Sequence, residues 1–467
     1  MGKAIMVLGT TSGAGKSFLA TAFCRYYANK GYRVAPFKAQ NMSNNARIAD
    51  GGEIGSAQYF QALAARAVPE VRMNPILLKP EADTASQVIH LGKVSRELTD
   101  MPWHDRSNAV WPSIREALHE LTREYDIVVI EGAGSPAEIN LSHSDIVNMR
   151  VAKEVSANAV LVADIDRGGA FAHLYGTWAL LPEDERALIK GFILNRFRGD
   201  AALLAPGPAM LEAKTGIPTI GVLPMWYGHG LPEEDGVFDD RRTGSGFTIA
   251  VLVYPHISNL DEFQPLKNIP GIKLVWTRDA ADLESADLIV LPGSKHVAND
   301  LSWLIEKRLD APIRSHVNAG KPLLAVCGGL QMLGTELRDP YGVEGEGKAL
   351  ALLPFSTVYE REKVQRHAEL GFGTLSNYWA PLSGLAVKGY EIRHGIMQTT
   401  ADGVIGNGIG FHRGNILAVY LHGLFENAPV IHALFGADAP VLDDTFNRLA
   451  DYLSGHIPND ILDSIVR

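Results

Sequence analysis

Short apolar runs alternate with longer segments in which apolar residues recur at helical spacing, and this alternation extends over most of the chain. Apolar runs that end at glycine or an acidic residue are typical of parallel strands covered by helices. A helix is predicted at residues 17–29, because apolar residues there have helical spacing and Gly31 follows. In the first half of the chain, strands are predicted at residues 4–8, 33–37, 127–130, 159–163, 191–194 and 219–223.

The alternation stops at residues 229–246, where acidic residues and glycines replace the apolar runs. Polar, glycine-containing segments of this kind are typical of linkers between domains. The sequence therefore predicts two α/β domains, residues 1–228 and residues 247–467, joined by a linker at residues 229–246. In the second domain, strands are predicted at residues 248–253, 273–276, 287–291 and 322–326.

Composition narrows the class of protein. A length of 467 residues favours more than one domain, and 46% hydrophobic with 21% charged residues is typical of a globular protein. The net charge of −10, without a long Lys/Arg run, argues against a general nucleic-acid binder. The two cysteines, Cys24 and Cys327, lack the spacing of a metal site or a disulfide framework. No signal-peptide pattern or membrane-spanning apolar run is evident, so we expect a cytoplasmic protein with no membrane partner.

A glycine-rich segment at residues 9–17 (GTTSGAGKS) follows the first predicted strand and opens the predicted helix. Backbone N–H groups of such a loop, here including Thr11, Gly13 and Gly15, can bind phosphate oxygens. Lys16 can reach the β and γ phosphates of ATP, and Ser17 can ligate Mg²⁺. In the common phosphate-loop motif the first glycine would lie at position 10, but this chain has Thr10 there and Gly9 one residue earlier. In this respect the loop resembles that of dethiobiotin synthetase. The alternative is a glycine-rich turn without a ligand.

Acidic residues near the predicted strand ends are candidate metal ligands. The apolar strand at residues 127–130 delivers Glu131 to its carboxyl end, where ligands bind in open α/β sheets. Asp50 and Glu53 are further candidates, although a solvated loop explains them equally well. Asn195 follows the strand at residues 191–194 and can recognise adenine, with helix capping as the equal alternative.

A second candidate site lies at Cys327, which ends the strand at residues 322–326 and precedes two glycines and a helix. A nucleophile on such a sharp turn is exposed at the top of the sheet. His422, at the end of another apolar run, is the expected base. The oxyanion hole is expected from the N–H of Gly328 and the loop that contains Gly293 and Ser294. The alternative is that the cysteine and the histidine are structural core residues.

Residues 327–331 (CGGLQ) with a distant histidine resemble the class I glutamine amidotransferase domain. In that family cysteine attacks the side-chain amide of glutamine and releases ammonia through a thioester. Those domains usually carry a glutamate two residues after the histidine, and this chain has Leu424 there. The chain is similar in this respect to the branch of cobyric acid synthase and cobyrinic acid a,c-diamide synthase, for which a Cys–His pair is implied.

Further segments resemble the cobyric acid synthase family over nearly the whole chain. The resemblance implies ATP- and glutamine-dependent amidation of the b, d, e and g carboxylates of adenosylcobyrinic acid a,c-diamide, which gives adenosylcobyric acid in cobalamin biosynthesis. It implies ATP and Mg²⁺ as cofactors, and a corrinoid and L-glutamine as small-molecule partners. The segments are residues 36–45, 53–58, 73–80, 131–140, 197–200, 256–259 and 389–392.

The residues fit this chemistry. A carboxylate is a poor electrophile, so the γ-phosphate must first be transferred to it, and Lys16 with Mg²⁺ would stabilise the developing charge. Ammonia is largely protonated at neutral pH, which favours a protected route between the two sites. A corrin that bears carboxylates and amides needs cations and amide-type partners. We expect these from Lys38, Asn41, Asn44, Asn45, Arg47 and Lys79, although turn capping or a solvated face explains each of them equally well.

Three other functions compete with this interpretation. Cobyrinic acid a,c-diamide synthase shares the architecture and amidates different carboxylates. A partitioning or scaffold ATPase with a non-catalytic second domain is disfavoured, because the early lysine of its loop would fall at Thr11 and the chain has no basic tail. A ligase fed by free ammonia, with an inactive second domain, is the third alternative.

Overall fold

The computed structural model describes residues 2–82, 85–232, 246–438 and 442–466. Most of the predicted linker, residues 233–245, lies outside the described residues. Within the described ranges, no helix combines the length and the apolar character needed to cross a membrane.

The first part of the chain alternates strands and helices. Its strands are β1 (Lys3–Gly9), β2 (Val34–Phe37), β3 (Gln40–Met42), β4 (Ala46–Ala49), β5 (Gly52–Gly55), β6 (Ile76–Ala82), β7 (Ala85–His90), β8 (Lys93–Val94), β9 (Ile127–Glu131), β10 (Asn158–Asp164), β11 (Ile189–Phe197) and β12 (Thr219–Pro224). Its helices are α1 (Lys16–Asn29), α2 (Ser56–Ala64), α3 (Arg96–Asp100), α4 (Trp103–Glu124), α5 (Met149–Glu154), α6 (Ala170–Leu180), α7 (Glu183–Arg186), α8 (Ala201–Leu204) and α9 (Pro206–Thr215).

The second part begins after the linker. Its strands are β13 (Phe247–Leu252), β14 (Ile257–Ser258), β15 (Ile272–Thr277), β16 (Leu288–Leu291), β17 (Gly293–Ser294), β18 (Leu323–Val326), β19 (Glu336–Arg338), β20 (Gly347–Lys348), β21 (Ser356–Gly371), β22 (Ala386–Gln398), β23 (Val404–Ile405), β24 (Gly410–Arg413) and β25 (Ile416–Val419). Its helices are α10 (Gln264–Lys267), α11 (Ala280–Ser285), α12 (Val297–Glu306), α13 (Asp310–Asn318), α14 (Gly328–Leu333), α15 (Ala428–Phe435), α16 (Leu442–His456) and α17 (Asn459–Ile465).

Each part is built around a sheet with parallel central strands, as predicted. In the first sheet the order is β12-β11-β10-β1-β9-β2, and each pair of neighbours runs parallel. In the second sheet the order is β15-β13-β16-β18-β25-β24-β23, in which β15 to β25 are parallel and the last two strands antiparallel. The ends of β1 and β18 therefore lie near the middle of their sheets, where parallel α/β folds bind ligands.

Three β structures outside these two sheets were not predicted. Strands β3, β6, β7 and β8 form a small sheet, and β4 pairs with β5 in a hairpin. The long strands β21 and β22 of the second domain pair with each other, and both contact β4 of the first domain. Many side chains of these strands are polar or half-buried, so they lack the continuous apolar run that identified the central strands.

The last two helices lie on the first sheet, although the expected partition groups them with the second domain. Leu449 and Leu453 of α16 share one apolar core with Ile5 and Val7 of β1. Arg25 of α1 also forms an ion pair with Asp443 at the start of α16. The chain therefore returns to its first domain at its end, and the boundary at residues 229–246 stays a prediction for the segments before α16.

Candidate functional sites

The glycine-rich loop wraps around the amino group of Lys16. After Gly9 ends β1, a short 3-10 turn and Gly15 in the left-handed region (φ 97°) lead into α1. The Lys16 Nζ donates to the carbonyl oxygens of Thr11 (2.9 Å) and Gly134 (3.1 Å). The lysine thus lies inside the loop, where a bound phosphate would replace these carbonyls as its partner.

Glu131 forms the centre of a buried polar cluster beside this loop. The Ser17 hydroxyl donates to its Oε1 (2.8 Å), as does the Lys38 ammonium (2.8 Å), and Gln61 donates to its Oε2. Burial opposes ionisation of the carboxyl, but the Lys38 charge and these hydrogen bonds hold its pKa below the usual value. The hydroxyl and carboxylate oxygens of Ser17 and Glu131 are hard donors that fit Mg²⁺.

The two other predicted metal ligands lie elsewhere. Glu53 is buried between Lys79 and Lys363. Asp50 is exposed at the turn between β4 and β5, where its backbone forms an isolated β-bridge with that of Glu70. The sequence placed both residues in one loop, but that segment is the hairpin of β4 and β5, and its Glu53 contacts Lys363 of the second domain. Ser17 and Glu131 are therefore in contact, whereas Asp50 and Glu53 lie in other surroundings, and a metal role for any of these residues stays a prediction.

An aromatic pocket adjoins the loop on the other side of Gly15. Asn195 reaches it by donating from Nδ2 to the Ala14 carbonyl (3.0 Å). Trp226 and Tyr452 line the pocket with their ring centroids 4.8 Å apart, and Phe18 lies edge-on to both. Sequence reasoning missed the aromatic residues, because Tyr452 comes from α16 at the far end of the chain.

Two arginines and an acid near the loop were also missed. The Arg196 guanidinium donates to the Gly13 carbonyl (3.0 Å) and pairs with Asp164 (2.9 Å), which Arg167 also approaches. Asp164 ends β10 just as Glu131 ends β9, so the same signal of an acid after an apolar strand was present in the sequence. Arg196 places a fixed positive charge beside the phosphate loop.

Cys327 occupies a strained turn between β18 and α14. Its backbone has φ 51° and ψ −103°, a conformation that costs energy for a residue with a side chain and is found at nucleophile turns. Its N–H donates to the Val419 carbonyl (2.7 Å), which ties the turn to β25, and its thiol approaches the Ile392 carbonyl (3.6 Å). The strain is thus maintained by two neighbouring strands.

His422 faces Cys327 and is held by a carboxylate that sequence reasoning missed. The His422 Nδ1 is 2.8 Å from Glu262 Oε1, and the N–H of Gly423 donates to Glu262 Oε2 (3.0 Å). Burial lowers the pKa of His422, but Glu262 and Cys327 together raise it to about 10. Leu424, at the usual position of the family glutamate, is buried in the apolar core instead. The signal was the acidic pair at residues 261–262, which follows residues 256–259 after one intervening leucine.

The predicted oxyanion residues meet at this turn. Strand β17 carries Gly293 and Ser294 alongside β14. A Cβ at position 293 would lie 3.1 Å from His422 Cε1, and one at position 328 would lie 2.7 Å from the Ser294 nitrogen. The packing therefore requires both glycines and brings Gly293, Ser294 and Gly328 to the Cys327–His422 pair. Their role in binding an oxyanion stays a prediction.

The residues that were predicted to contact the corrin lie in several different environments. Lys38 contacts Glu131, while Lys79 contacts Glu53, and burial together with Lys363 lowers the pKa of Lys79 to about 7. Asn45 and Arg47 contact the second domain. Asn41 is buried, and Asn44 is half-buried with its side-chain oxygen unpartnered. The structure thus brings most of these side chains into internal polar contacts, and their contact with a corrin stays a prediction.

Two known protein families match this chain, one in the first domain and one in the second. The family described as CobQ/CobB/MinD/ParA nucleotide binding domain matches residues 5–226, and the CobB/CobQ-like glutamine amidotransferase domain matches residues 248–430. Cobyric acid synthase of Variovorax paradoxus (strain S110) is 61% identical over 475 residues and 99% of each chain. Cobyric acid synthase of Acidovorax sp. (strain JS42) is 60% identical over 481 residues, 99% of this chain and 98% of its own.

Proposed function

This chain belongs to the cobyric acid synthase family, and from that premise we propose that it uses ATP and glutamine to amidate the b, d, e and g carboxylates of adenosylcobyrinic acid a,c-diamide. The observation that supports the proposal is the presence of two separate candidate sites in one chain. Lys16, Ser17 and Glu131 form one at the first sheet, and Cys327 with His422 forms the other at the second.

The second domain would release ammonia from glutamine. The Cys327 thiolate attacks the side-chain amide carbon, and the negative oxygen that forms is stabilised by N–H groups at Gly328 and at Gly293 or Ser294. His422 gives its proton to the leaving ammonia, which breaks the carbon–nitrogen bond and leaves a thioester. Water then attacks the thioester carbon while His422 takes a proton from that water. The carbon–sulfur bond breaks, which restores the Cys327 thiolate beside the protonated His422 and releases glutamate.

The first domain would activate the corrinoid carboxylate. The carboxylate oxygen attacks the γ-phosphorus of ATP, ADP leaves, and an acyl phosphate forms. Lys16 and Arg196 are positioned to balance the charge that develops on the phosphoryl oxygens. Mg²⁺ held by Ser17 and Glu131 would neutralise the β and γ phosphates when bound. Ammonia then displaces inorganic phosphate and forms the amide.

The position of the thiol supports transfer of ammonia between the domains. Ile392, whose carbonyl lies 3.6 Å from the Cys327 sulfur, packs its side chain against a small apolar cluster of the first domain formed by Ala46, Leu77 and Ile89. Ammonia would therefore be released one residue from the domain interface. A short internal path limits its protonation in bulk water.

Mass spectrometry of the corrinoid products tests the proposed substrate. Purified protein incubated with adenosylcobyrinic acid a,c-diamide, ATP, Mg²⁺ and glutamine should add four amides, because the a and c positions are already amidated. Cobyrinic acid without amides serves as the comparison substrate. Amidation restricted to the a and c carboxylates would identify the diamide synthase activity instead and contradict the proposal.

The aromatic pocket is expected to bind adenine, and Trp226→Ala or Tyr452→Ala should raise the KM for ATP about 10-fold with little change in kcat. Stacking of a base on an aromatic ring contributes about 1–3 kcal/mol, and it is equal in the ground state and the transition state. Tyr175→Ala removes an exposed ring on α6 and serves as the matched control. An unchanged KM for ATP in both pocket variants would place the adenine elsewhere.

We also propose that the protein works in the cytoplasm. Both Cys24 and Cys327 are free thiols, and a reducing compartment would preserve the nucleophile.

A further inference from the structure

Both carboxylate oxygens of Glu262 accept hydrogen bonds from the segment that carries His422. One oxygen accepts from the imidazole Nδ1 at 2.8 Å and the other from the backbone N–H of Gly423 at 3.0 Å. The carboxylate and the imidazole are each 1% exposed, so water does not compete for these bonds. Two bonds from one acid determine both the orientation of the ring and the position of the backbone next to it.

The turn that carries Glu262 is held by the first domain. The side-chain oxygen of Asn45 accepts from the N–H of Leu260 (3.0 Å), and the N–H of Ala46 donates to the side-chain oxygen of Asn259 (3.1 Å). Asn259 has a left-handed backbone (φ 57°), which bends the chain so that the following residues turn toward His422. Consecutive residues of one domain thus bind consecutive residues of the other.

Arg47 continues this contact and reaches both sides of the histidine. Its guanidinium pairs with Asp261, the residue before Glu262, and with Glu426 (2.6 Å), four positions after His422. It also lies over the ring of Tyr390 at 5.0 Å, and that ring stacks on the His422 imidazole with centroids 5.2 Å apart. The Arg47 side chain is 1% exposed, which makes its forked contacts strong and geometrically specific.

We propose that Glu262 is the positioning acid of the glutaminase site and that Arg47, contributed by the ligase domain, holds Glu262 in place. The acid keeps Nδ1 protonated and directs Nε2 toward the thiol, the task that an acid performs for histidine in catalytic triads. The second domain then depends on the first for the geometry of its own active site. This inference rests on the proposed glutamine hydrolysis at Cys327.

The groups that face His422 decide the direction of the expected pH effect. They are Glu262, the Cys327 thiol and the stacked Tyr390, with Arg47 behind Tyr390. Tyr390 stays neutral, because burial holds its pKa well above the usual value. The Glu262 charge favours the imidazolium, so its removal should lower the pKa of His422 from about 10. The proton needed by the leaving ammonia would then be lost at lower pH.

Glu262→Gln in the full chain tests the role of the acid. We expect kcat for glutamine-dependent amidation to fall about 100-fold, as for loss of groups that orient a catalytic histidine, with ammonia-dependent amidation unchanged. The alkaline limb of the glutaminase pH profile should move to lower pH. Glu284→Gln changes an exposed glutamate of the same domain and serves as the control. An unshifted limb would overturn the proposed role, whatever the loss in rate.

Arg47→Lys tests whether the ligase domain acts through that acid. Lysine keeps the charge but lacks the fork that pairs with Asp261 and Glu426 together, so the ratio of glutamine-dependent to ammonia-dependent kcat should fall about 10-fold. Combining Arg47→Lys with Glu262→Gln should be no worse than Glu262→Gln alone, because both changes act on one acid. Additive losses, or equal losses with glutamine and ammonia, would overturn the assignment for Arg47.

Failure of this inference is distinguishable from failure of the proposed function. If wild-type protein does not amidate the corrinoid with either nitrogen source, the proposed function is wrong. If wild type uses both and Glu262→Gln behaves as wild type with both, the proposed function stands and only the role of Glu262 is wrong.

Discussion

Cys327→Ala should abolish glutamine-dependent amidation, by about 10⁴-fold or more, and leave ammonia-dependent amidation of the same corrinoid within about twofold of wild type. The loss is large because the thioester cannot form without the sulfur. Ammonia use should survive because the phosphate loop and Glu131 lie on another sheet, and alanine removes one atom from an otherwise unchanged turn. Both rates are measured with saturating ATP and corrinoid.

Cys24→Ala provides the matched control. Cys24 is the only other cysteine of the chain, and it is fully buried in α1, where burial raises the pKa of its thiol. It should therefore neither react with iodoacetamide nor contribute to catalysis. Peptide mass spectrometry should find alkylation at Cys327 in both the wild type and Cys24→Ala. Glutamine-dependent turnover by Cys327→Ala would exclude Cys327 as the nucleophile.

Lys16→Ala should lose amidation with glutamine and with ammonia alike, by about 10²–10³-fold in kcat, the usual effect of removing one charge-stabilising donor. Both nitrogen sources need the acyl phosphate, and the Lys16 ammonium is positioned inside the loop by the carbonyls of Thr11 and Gly134. The change lies in the first domain, so the alkylation rate of Cys327 should stay at the wild-type value and report intact folding.

Lys190→Ala is the control for this substitution. Lys190 is exposed, and its side-chain ammonium donates a hydrogen bond to the nearby carbonyl of Ala187. It should leave both activities unchanged. Unimpaired ATP-dependent amidation by Lys16→Ala would refute the role of Lys16 at the phosphates.

The comparison of prediction with structure is clearest at the three strands that lead into the candidate sites. The strands before Gly9, Glu131 and Cys327 were predicted closely, because buried parallel strands are apolar along their whole length and the chemistry follows directly in the sequence. The small sheet at residues 40–94 and the long hairpin of β21 and β22 were not predicted. Strands of these two regions contact each other across the domain interface, and such distant partners leave no local pattern in the sequence.

Individual side chains show the same division. Asp50 and Glu53 are acidic residues near a predicted strand end, and nothing local distinguishes them from Glu131. The structure separates them, because the hairpin of β4 and β5 turns Glu53 toward Lys79 and Lys363. Arg47 was predicted as a corrin contact from its charge, and that contact stays a prediction, while the structure adds a buried ion pair with Asp261 that the sequence did not predict.

By itself the sequence determined the α/β class, the phosphate loop with Lys16 and Ser17, and the pair Cys327 and His422, because each follows a strand whose apolar pattern is local. Only the tertiary structure decided that Glu262 orients toward His422, that Arg47 joins the domains beside it, and that Tyr452 lines the aromatic pocket beside the phosphate loop. These contacts join residues far apart along the chain. Packing brings such residues together, and no short-range spacing records it.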